Sequence, residues 1–480
     1  MIAAARFALV ALLCLGAGLG QAQQQDLPEL GDPTVAIISA EQEYRLGRGW
    51  LRDLRGQTSI MEDPLVQEYA EHLVYRLASF SELNEPDLAI VVINSAAINA
   101  FAVPGGVIGL NAGLFLNAAS EDEVASVVAH EIAHVSQRHF TRRYMDSKRR
   151  GPAVLAAMLA SIALAIAGSG DAGMAGIAAT QAASIQAQLA YSRHNEYEAD
   201  RVGMQILAAA GMDPSAMPRF FERMLEQQRY SGDPPEFLLT HPLTENRISD
   251  SKNRARNYPR KVYTDNLNFQ LMKKRVELLH SKKPENLLAE WQRETDVNGE
   301  AKHYGRVLAL IELERWDEAD AQLATLLADN PQRIAYIIAR AEIQQGQEKG
   351  EAAIATLKQA LSLSPRNHSL TMTLAAILQE NKLFRQADQL LTVHSEQRSE
   401  DPHLWYELAE VRGLAGNILG VHMARAEYFI LVAQFERASK QLRYAHQLIG
   451  SDNRVLESKI RQRLRDIDAM KDEMKELQGG

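Results

Sequence analysis

The stretch Val124-Ala125-Ser126-Val127-Val128-Ala129-His130-Glu131-Ile132-Ala133-His134 decides how this chain is read. Residues four apart share one face of an α-helix, so the imidazoles of His130 and His134 can point at a common ion. Glu131 projects beside that ion, where a water would sit. The H-E-x-x-H spacing is the one in which two His bind zinc and the carboxylate serves as general base in peptide hydrolysis. Ser120 followed by Glu123 reads as a capping box at the start of this helix, and Glu121 and Asp122 suit its positive end. Arg138 and His139 fall near its other end, where positive charge is favoured.

A catalytic zinc takes three protein ligands and keeps a fourth position open. The third is sought in Tyr191-Ser192-Arg193-His194-Asn195-Glu196-Tyr197-Glu198-Ala199-Asp200. Glu196 and Asp200 are four apart and share a helical face, with Glu198 turned away from it. Glu196 is therefore expected to bind the metal. Asp200, one turn on, is expected to accept a hydrogen bond from a ligand His.

His130-Glu131-x-x-His134 followed by Glu196-x-x-x-Asp200 resembles the gluzincin peptidases related to the CAAX prenyl protease and the HtpX heat-shock protease. Asn99-Ala100-Phe101-Ala102-Val103-Pro104-Gly105-Gly106 resembles the strand and turn before that family's active-site helix, and His241-Pro242-Leu243-Thr244-Glu245-Asn246-Arg247-Ile248 its late His-Pro…Arg-Ile element. The likeness covers roughly residues 40 to 255. It implies one Zn2+ per chain held by His130, His134 and Glu196, with Glu131 and Asp200 catalytic. Some family descriptions make Asp200 a proton donor. It also implies that His241 can take the fourth zinc position and hold the enzyme latent, with an ordinary His-Pro loop as the alternative. Arg247 is expected either to steady the oxyanion or substrate carbonyl, or to form a structural salt bridge.

The ends of the chain set the expected compartment. Arg6, the apolar run Phe7 to Leu19 and Gly20-Gln21-Ala22 read as a secretory signal peptide, residues 1–22, cut after Ala22. Leu13 ahead of Cys14 argues against a lipoprotein. Cys14 is the sole cysteine, which excludes disulfides, zinc thiolates and a cysteine nucleophile from the mature chain. Export without cysteine fits a bacterial periplasm. A net charge of -9 without a basic block argues against nucleic acid as a partner.

Arg142, Arg143 and Lys148-Arg149-Arg150 form the one basic cluster, a solvated helix end or an anchor near anionic lipid. Beyond it, residues 151–192 carry a single charge, Asp171, and a Gly-Ser-Gly break. Val154 to Ala167 is short for a bilayer span, and Thr180, Gln181, Ser184, Gln186 and Gln188 are too polar for hydrocarbon. This region is read as an Ala-rich helical hairpin that shelters the zinc cleft or rests peripherally on a membrane. A transmembrane pair is the alternative.

Around the motif the expected fold is α+β and mostly helical. Pro64 to Ala78 has helical periodicity; Leu88 to Ile93 and Ala97 to Val103 read as strands, and Pro104-Gly105-Gly106 turns into Val107 to Leu110. A strand edge near Asn99 to Phe101 would hold an extended polypeptide by its main chain, the alternative being that these residues merely build the sheet.

The C-terminal half repeats. Ala319, Ala353 and Ala387 are 34 residues apart, each followed four positions on by Leu323, Leu357 or Leu391, and Pro331 and Pro365 share the period. The offsets resemble tetratricopeptide repeats, pairs of helices that stack into an all-α solenoid with a concave protein-binding surface. Phe435-Glu436-Arg437-Ala438 lies a repeat and a half beyond Ala387, so an extra helix around His403 to Leu414 is expected, giving four or five repeats.

The resulting layout is a signal peptide (1–22), a zinc metallopeptidase domain (23–255, with the hairpin at 151–192), a linker with first helices (256–299) and repeats (300–480). The resemblance implies a periplasmic zinc endopeptidase for unfolded or misassembled outer-membrane proteins, assisting β-barrel assembly and docked to the assembly machinery through its repeats. The alternative is chiefly a chaperone or adaptor with latent proteolysis.

Overall fold

The computed structural model describes residues 39–83, 87–142, 193–231, 234–259, 261–264, 266–293, 299–449 and 453–479. The signal peptide, the basic residues from Arg143 to Arg150 and the hairpin at 151–192 lie outside the described residues. Among the described residues no helix is long and apolar enough to cross a membrane.

Helix α1 (Ala40–Gln57) opens on a full capping box between Ser39 and Gln42. Helix α2 (Pro64–Ala78) has Pro at its first position and Asp63 capping the backbone N–H groups of Leu65 and Val66. Three strands follow: β1 (Ala89–Ile93), β2 (Ala100–Val103) and β3 (Val107–Asn111). Their order is β1-β3-β2, β1 parallel and β2 antiparallel to the central β3. Gly105 and Gly106 make the β2–β3 turn at φ of 76° and 71°, a backbone region that side chains rarely adopt. The second strand is shorter than the sequence suggests and begins at Ala100. Asn99 still accepts from the backbone N–H of Asn111 at 3.0 Å.

Alternation along β2 sorts its side chains. Ala100 and Ala102 join the main core, whereas Phe101 and Val103 face a second core with Trp50, Leu51 and Leu54 of α1. Short α3 (Ala112–Asn117) leads to α4 (Glu121–Ser136), the helix of the opening motif. The expected capping box at its start is not formed. Ser120 is the N-cap but its hydroxyl makes no capping bond, and Glu123 accepts instead from Ala119 N–H at 2.8 Å. Its carboxylate is drawn that way because Arg223 also donates to it.

The next four helices are α5 (Arg193–Ala209), α6 (Ala216–Ser231), α7 (Glu236–Thr240) and α8 (Glu245–Ala255). Helix α5 lies directly on α4. A Cβ on Gly203 would stand 3.1 Å from the backbone nitrogen of His130, so glycine lets the two backbones approach at the motif. The span expected as a linker with first helices contains Leu267–Leu279 and Pro284–Arg293, and Trp291 of the latter is buried against Gly305.

From Gly299 the chain is a run of antiparallel helices. Left-handed residues at Glu314, Glu348, Lys382 and Gly416 recur every 34 positions and close the first helix of each pair. Ala319, Ala353, Ala387 and Ala438, with Leu323, Leu357, Leu391 and Leu442, are all fully buried. A helix is present where the extra one is expected, Pro402–Leu414, and Gly416 after it keeps the 34-residue register.

The repeats fold back onto the first half. Glu71 of α2 receives both terminal nitrogens of Arg398, at 2.5 and 3.0 Å, and Glu68 receives Ser369 Oγ at 2.6 Å. Beside this contact His368 stacks on His394, their nitrogens 3.0 Å apart, with Asp401 3.5 Å away. Burial depresses His368 to about 4, aided by Arg398 and His394 and opposed by Asp401 and Glu71. Its folded value lies below its unfolded one, so the stabilisation is complete above about pH 6.5 and is lost as pH falls toward 4. Unfolding free energy in urea should fall by on the order of 3 kcal/mol across that window. His368→Gln should flatten this part of the profile; an unchanged slope would exclude His368 as its source.

Candidate active site

Four buried side chains converge between α4, α5 and the end of α7: His130, His134, Glu196 and His241, with one donor atom from each within 4.8 Å of the others. The Nε2 atoms of His130 and His134 are 3.0 Å apart. Glu196 lies 3.6 Å from each of these nitrogens. His241 Nδ1 is 3.4 Å from His130 Nε2 and 3.2 Å from Glu196 Oε1. Bond lengths of about 2.0–2.1 Å to zinc give tetrahedral edges of about 3.3 Å, so the spacing and the two-His, one-carboxylate chemistry both fit that ion.

The neighbours of these donors fix their orientation. His130 Nδ1 stands 3.0 Å from Asp200 Oδ1. Arg247 grips Asp200 with two nitrogens, Nε at 2.9 Å and Nη2 at 2.8 Å, while Nη1 lies 2.7 Å from Glu196 Oε2 and donates to Pro242 O. His241, the C-terminal cap of α7, stacks on Phe237 at 4.6 Å between ring centres. Its Nε2 is 3.3 Å from Glu131 Oε1. Glu131 is fully buried, with the Ala102 N–H also directed at its carboxylate.

With protein groups alone around them, Glu131, Glu196, His130 and His134 are pushed in different directions. Burial raises Glu131, opposed by the positive charge of His241 and His130 and by the Ala102 N–H on the edge of β2. Burial would also raise Glu196, but His241 and Arg247 hold it well below the usual carboxylate range. Burial pulls His130 down, yet Asp200 and Glu196 outweigh it and raise it to about 9. His134 is driven well below its ordinary value by burial and by the charge of His130.

Other expected site residues are placed differently. Arg247 is not free for an oxyanion: its nitrogens are committed to Asp200, Glu196 and Pro242, the salt-bridge alternative. The ring of Phe101 packs edge-on against Trp50 at 5.4 Å and over Gly109, so only its backbone belongs to the edge strand. Asn99 is buried and hydrogen-bonds Glu236 at the start of α7, whose carboxyl burial pushes up to about 7. Sequence reading passed over Glu236, Phe237 and His139. His139 lies five residues past His134, a spacing that a regular helix does not bring together. Phe237, four before His241, had an audible signal in that spacing.

A small strand layer backed by helices, with an H-E-x-x-H helix and a carboxylate from the next helix meeting it, defines a metallopeptidase. Residues 64–255 match peptidase family M48, and residues 345–410 match the tetratricopeptide repeat. The chain is 36% identical over 446 residues to the putative beta-barrel assembly-enhancing protease of Vibrio cholerae, covering 92% of each. It is 36% identical over 440 residues to the beta-barrel assembly-enhancing protease of Escherichia coli, covering 90% of each. The mitochondrial metalloendopeptidase OMA1 of Arabidopsis thaliana is 29% identical over 192 residues, 40% of this chain and 36% of that protein. The chain belongs to peptidase family M48 and is a metalloendopeptidase with a tetratricopeptide region.

Because Arg247 pairs with two buried carboxylates, removing its charge while keeping its bulk is costly. Arg247→Met should destabilise the protein by about 3–5 kcal/mol, read from urea unfolding. A loss below about 1 kcal/mol, the range of exposed pairs, would mean that the pairing contributes little.

Proposed function

We propose that this chain is a periplasmic zinc endopeptidase, exported by residues 1–22, that degrades unfolded or misassembled outer-membrane β-barrel proteins and assists their assembly through its repeats. The observation that carries the chemistry is the convergence of His130, His134 and Glu196 beside a buried Glu131. The client class rests on the names of the full-length relatives. Docking to the β-barrel assembly machinery is assigned to the repeats, whose helix pairs suit protein partners.

His130, His134 and Glu196 hold the ion. When bound, Zn2+ supplies a Lewis acid that polarises the scissile carbonyl and acidifies water. Glu131 takes the attacking water's proton and returns it to the leaving amide nitrogen. Its burial makes it a stronger base than an exposed carboxylate. Asp200 keeps the Nδ1 proton of His130 and so aims the Nε2 lone pair at the ion. The edge of β2, with Ala102 N–H turned toward Glu131, runs beside the reacting group and suits an extended substrate chain.

His241 accounts for latency. It lies between Glu131 and Glu196, where water and the substrate carbonyl must enter. As a fourth ligand it would exclude both from the ion. His241→Ala should therefore raise the casein-cleavage rate of purified protein; an unchanged or lower rate would count against latency.

Glu131→Gln should lower casein cleavage by about 100-fold or more while metal content stays at one Zn2+ per chain, and His130→Ala should lose the metal. Retained cleavage in Glu131→Gln would refute the assigned base. A chaperone or adaptor would keep its effect on outer-membrane assembly in that variant, whereas a protease loses it.

A further inference from the structure

We propose that His139 and Glu198 form a positioning relay that fixes the proton of His134, and so the direction in which this ligand presents its lone pair. The inference rests on the reading of His134 as a metal ligand. His139 is fully buried, and its Nδ1 is 2.9 Å from His134 Nδ1, the ring nitrogen on the far side from the metal donors. Its Nε2 is 3.2 Å from Glu198 Oε2, which also receives Arg142 Nη1 at 3.2 Å. The two rings meet edge to face, 4.8 Å between centres.

Proton placement follows from the acceptor at the end of the chain. An ionised carboxylate only accepts, so His139 donates Nε2–H to Glu198. A neutral His139 then has a bare Nδ1, which can only accept, and His134 must carry its proton on Nδ1. The Nε2 of His134 is thereby left as a lone pair facing Glu196 and His130 Nε2. Asp200 does the same for His130. The two ligand imidazoles are thus set by two different carboxylates on α5, Asp200 directly and Glu198 through a second imidazole.

The local fold is built to make this contact. In an unbroken helix, residues five apart point about 140° away from each other. Here α4 ends at Ser136, and Arg138 adopts the left-handed region at φ 51°, which brings His139 back beneath His134. A non-glycine residue holds that conformation only when its surroundings impose it. Glu43 of α1 does so, receiving Arg138 Nη2 at 2.7 Å and Thr141 Oγ1 at 2.5 Å.

The test is the Zn2+ dissociation constant, measured by competition with a chromophoric chelator, which needs no turnover. His139→Leu should weaken binding about 10–100-fold, the usual cost of losing such an outer partner. His139→Asn, whose Oδ1 can still accept from His134 Nδ1–H, should stay within a few-fold of wild type. A role in packing alone would not be rescued by this smaller polar side chain. Glu198→Ala should weaken binding in the wild-type background and add nothing to His139→Leu. If His139→Leu does not fold, Glu198→Ala and His139→Asn decide the matter. Wild-type affinity in both His139→Leu and Glu198→Ala, with His134→Ala losing Zn2+, would overturn the relay alone. His134→Ala binding Zn2+ like wild type would overturn the ligand assignment beneath it.

Discussion

The buried guanidinium of Arg247 is the constraint on which the site depends. Glu196 and Asp200 are one turn apart on α5, both about 1% exposed, and both ionised in the arrangement described here. Two such charges about 6 Å apart repel by roughly 3 kcal/mol at an effective dielectric of 20, before either pays for leaving water. Left alone, one would take up a proton. Arg247 removes that choice by bonding to both. Its own burial is tolerable only because two carboxylates and a carbonyl take its donors. The segment Thr244 to Arg247 therefore belongs to the active site although none of it offers a metal donor. The hydroxyl cap of Thr244 on Arg247 N–H fixes where α8, and with it the guanidinium, begins.

Around that polar knot the structure is apolar and closely packed. Val124, Ala125, Val128, Ala129, Ile132 and Ala133 cover the other faces of α4 and are fully buried. Small residues at the crossing with α5 bring the helices near enough for Glu196 to reach both imidazoles. An alanine at Gly203 would have to push against the backbone of His130 at 3.1 Å, and a shift of tenths of an ångström matters for ligands meeting at one point. Packing here sets the ligand geometry as much as it sets stability.

The sequence yielded the parts of the site that obey helical spacing. His130, Glu131 and His134 are one turn of one helix, as are Glu196 and Asp200, and the 34-residue period of Ala319, Ala353 and Ala387 reports a repeating helix crossing. What it did not yield are contacts that arise where regular structure breaks. His139 reaches His134 only because Arg138 leaves the helix, and no pattern in the letters announces a left-handed arginine. Glu198 read as turned away because it does face away from the His130, His134 and Glu196 cluster; it faces His139 instead. Arg247 and Phe101 were ambiguous for another reason. A guanidinium or an aromatic ring near a site has the same letter whether it meets substrate or closes the core, and only the identity of its neighbours separates the two.

Helix α2 shows how the two halves of the chain come to share a frame. Its apolar side, with Val66, Ala70, Leu73, Val74 and Leu77, is buried in the core that also contains α4. Its acidic side, Glu68 and Glu71, receives Asn367, Ser369 and Arg398 from the repeats, and Asp63 at its start receives Arg275 at 2.8 Å. One helix thus touches the motif helix through hydrocarbon and the repeats through charge. Partly exposed ion pairs of this sort are individually weak, but several along one helix restrict sliding because each fixes a different point. The apolar contacts supply cohesion without direction, whereas the charged ones set register. With its repeats anchored along α2, the solenoid presents any bound polypeptide at a fixed position relative to α4. A peptidase can use a partner surface only if that surface does not drift relative to its site.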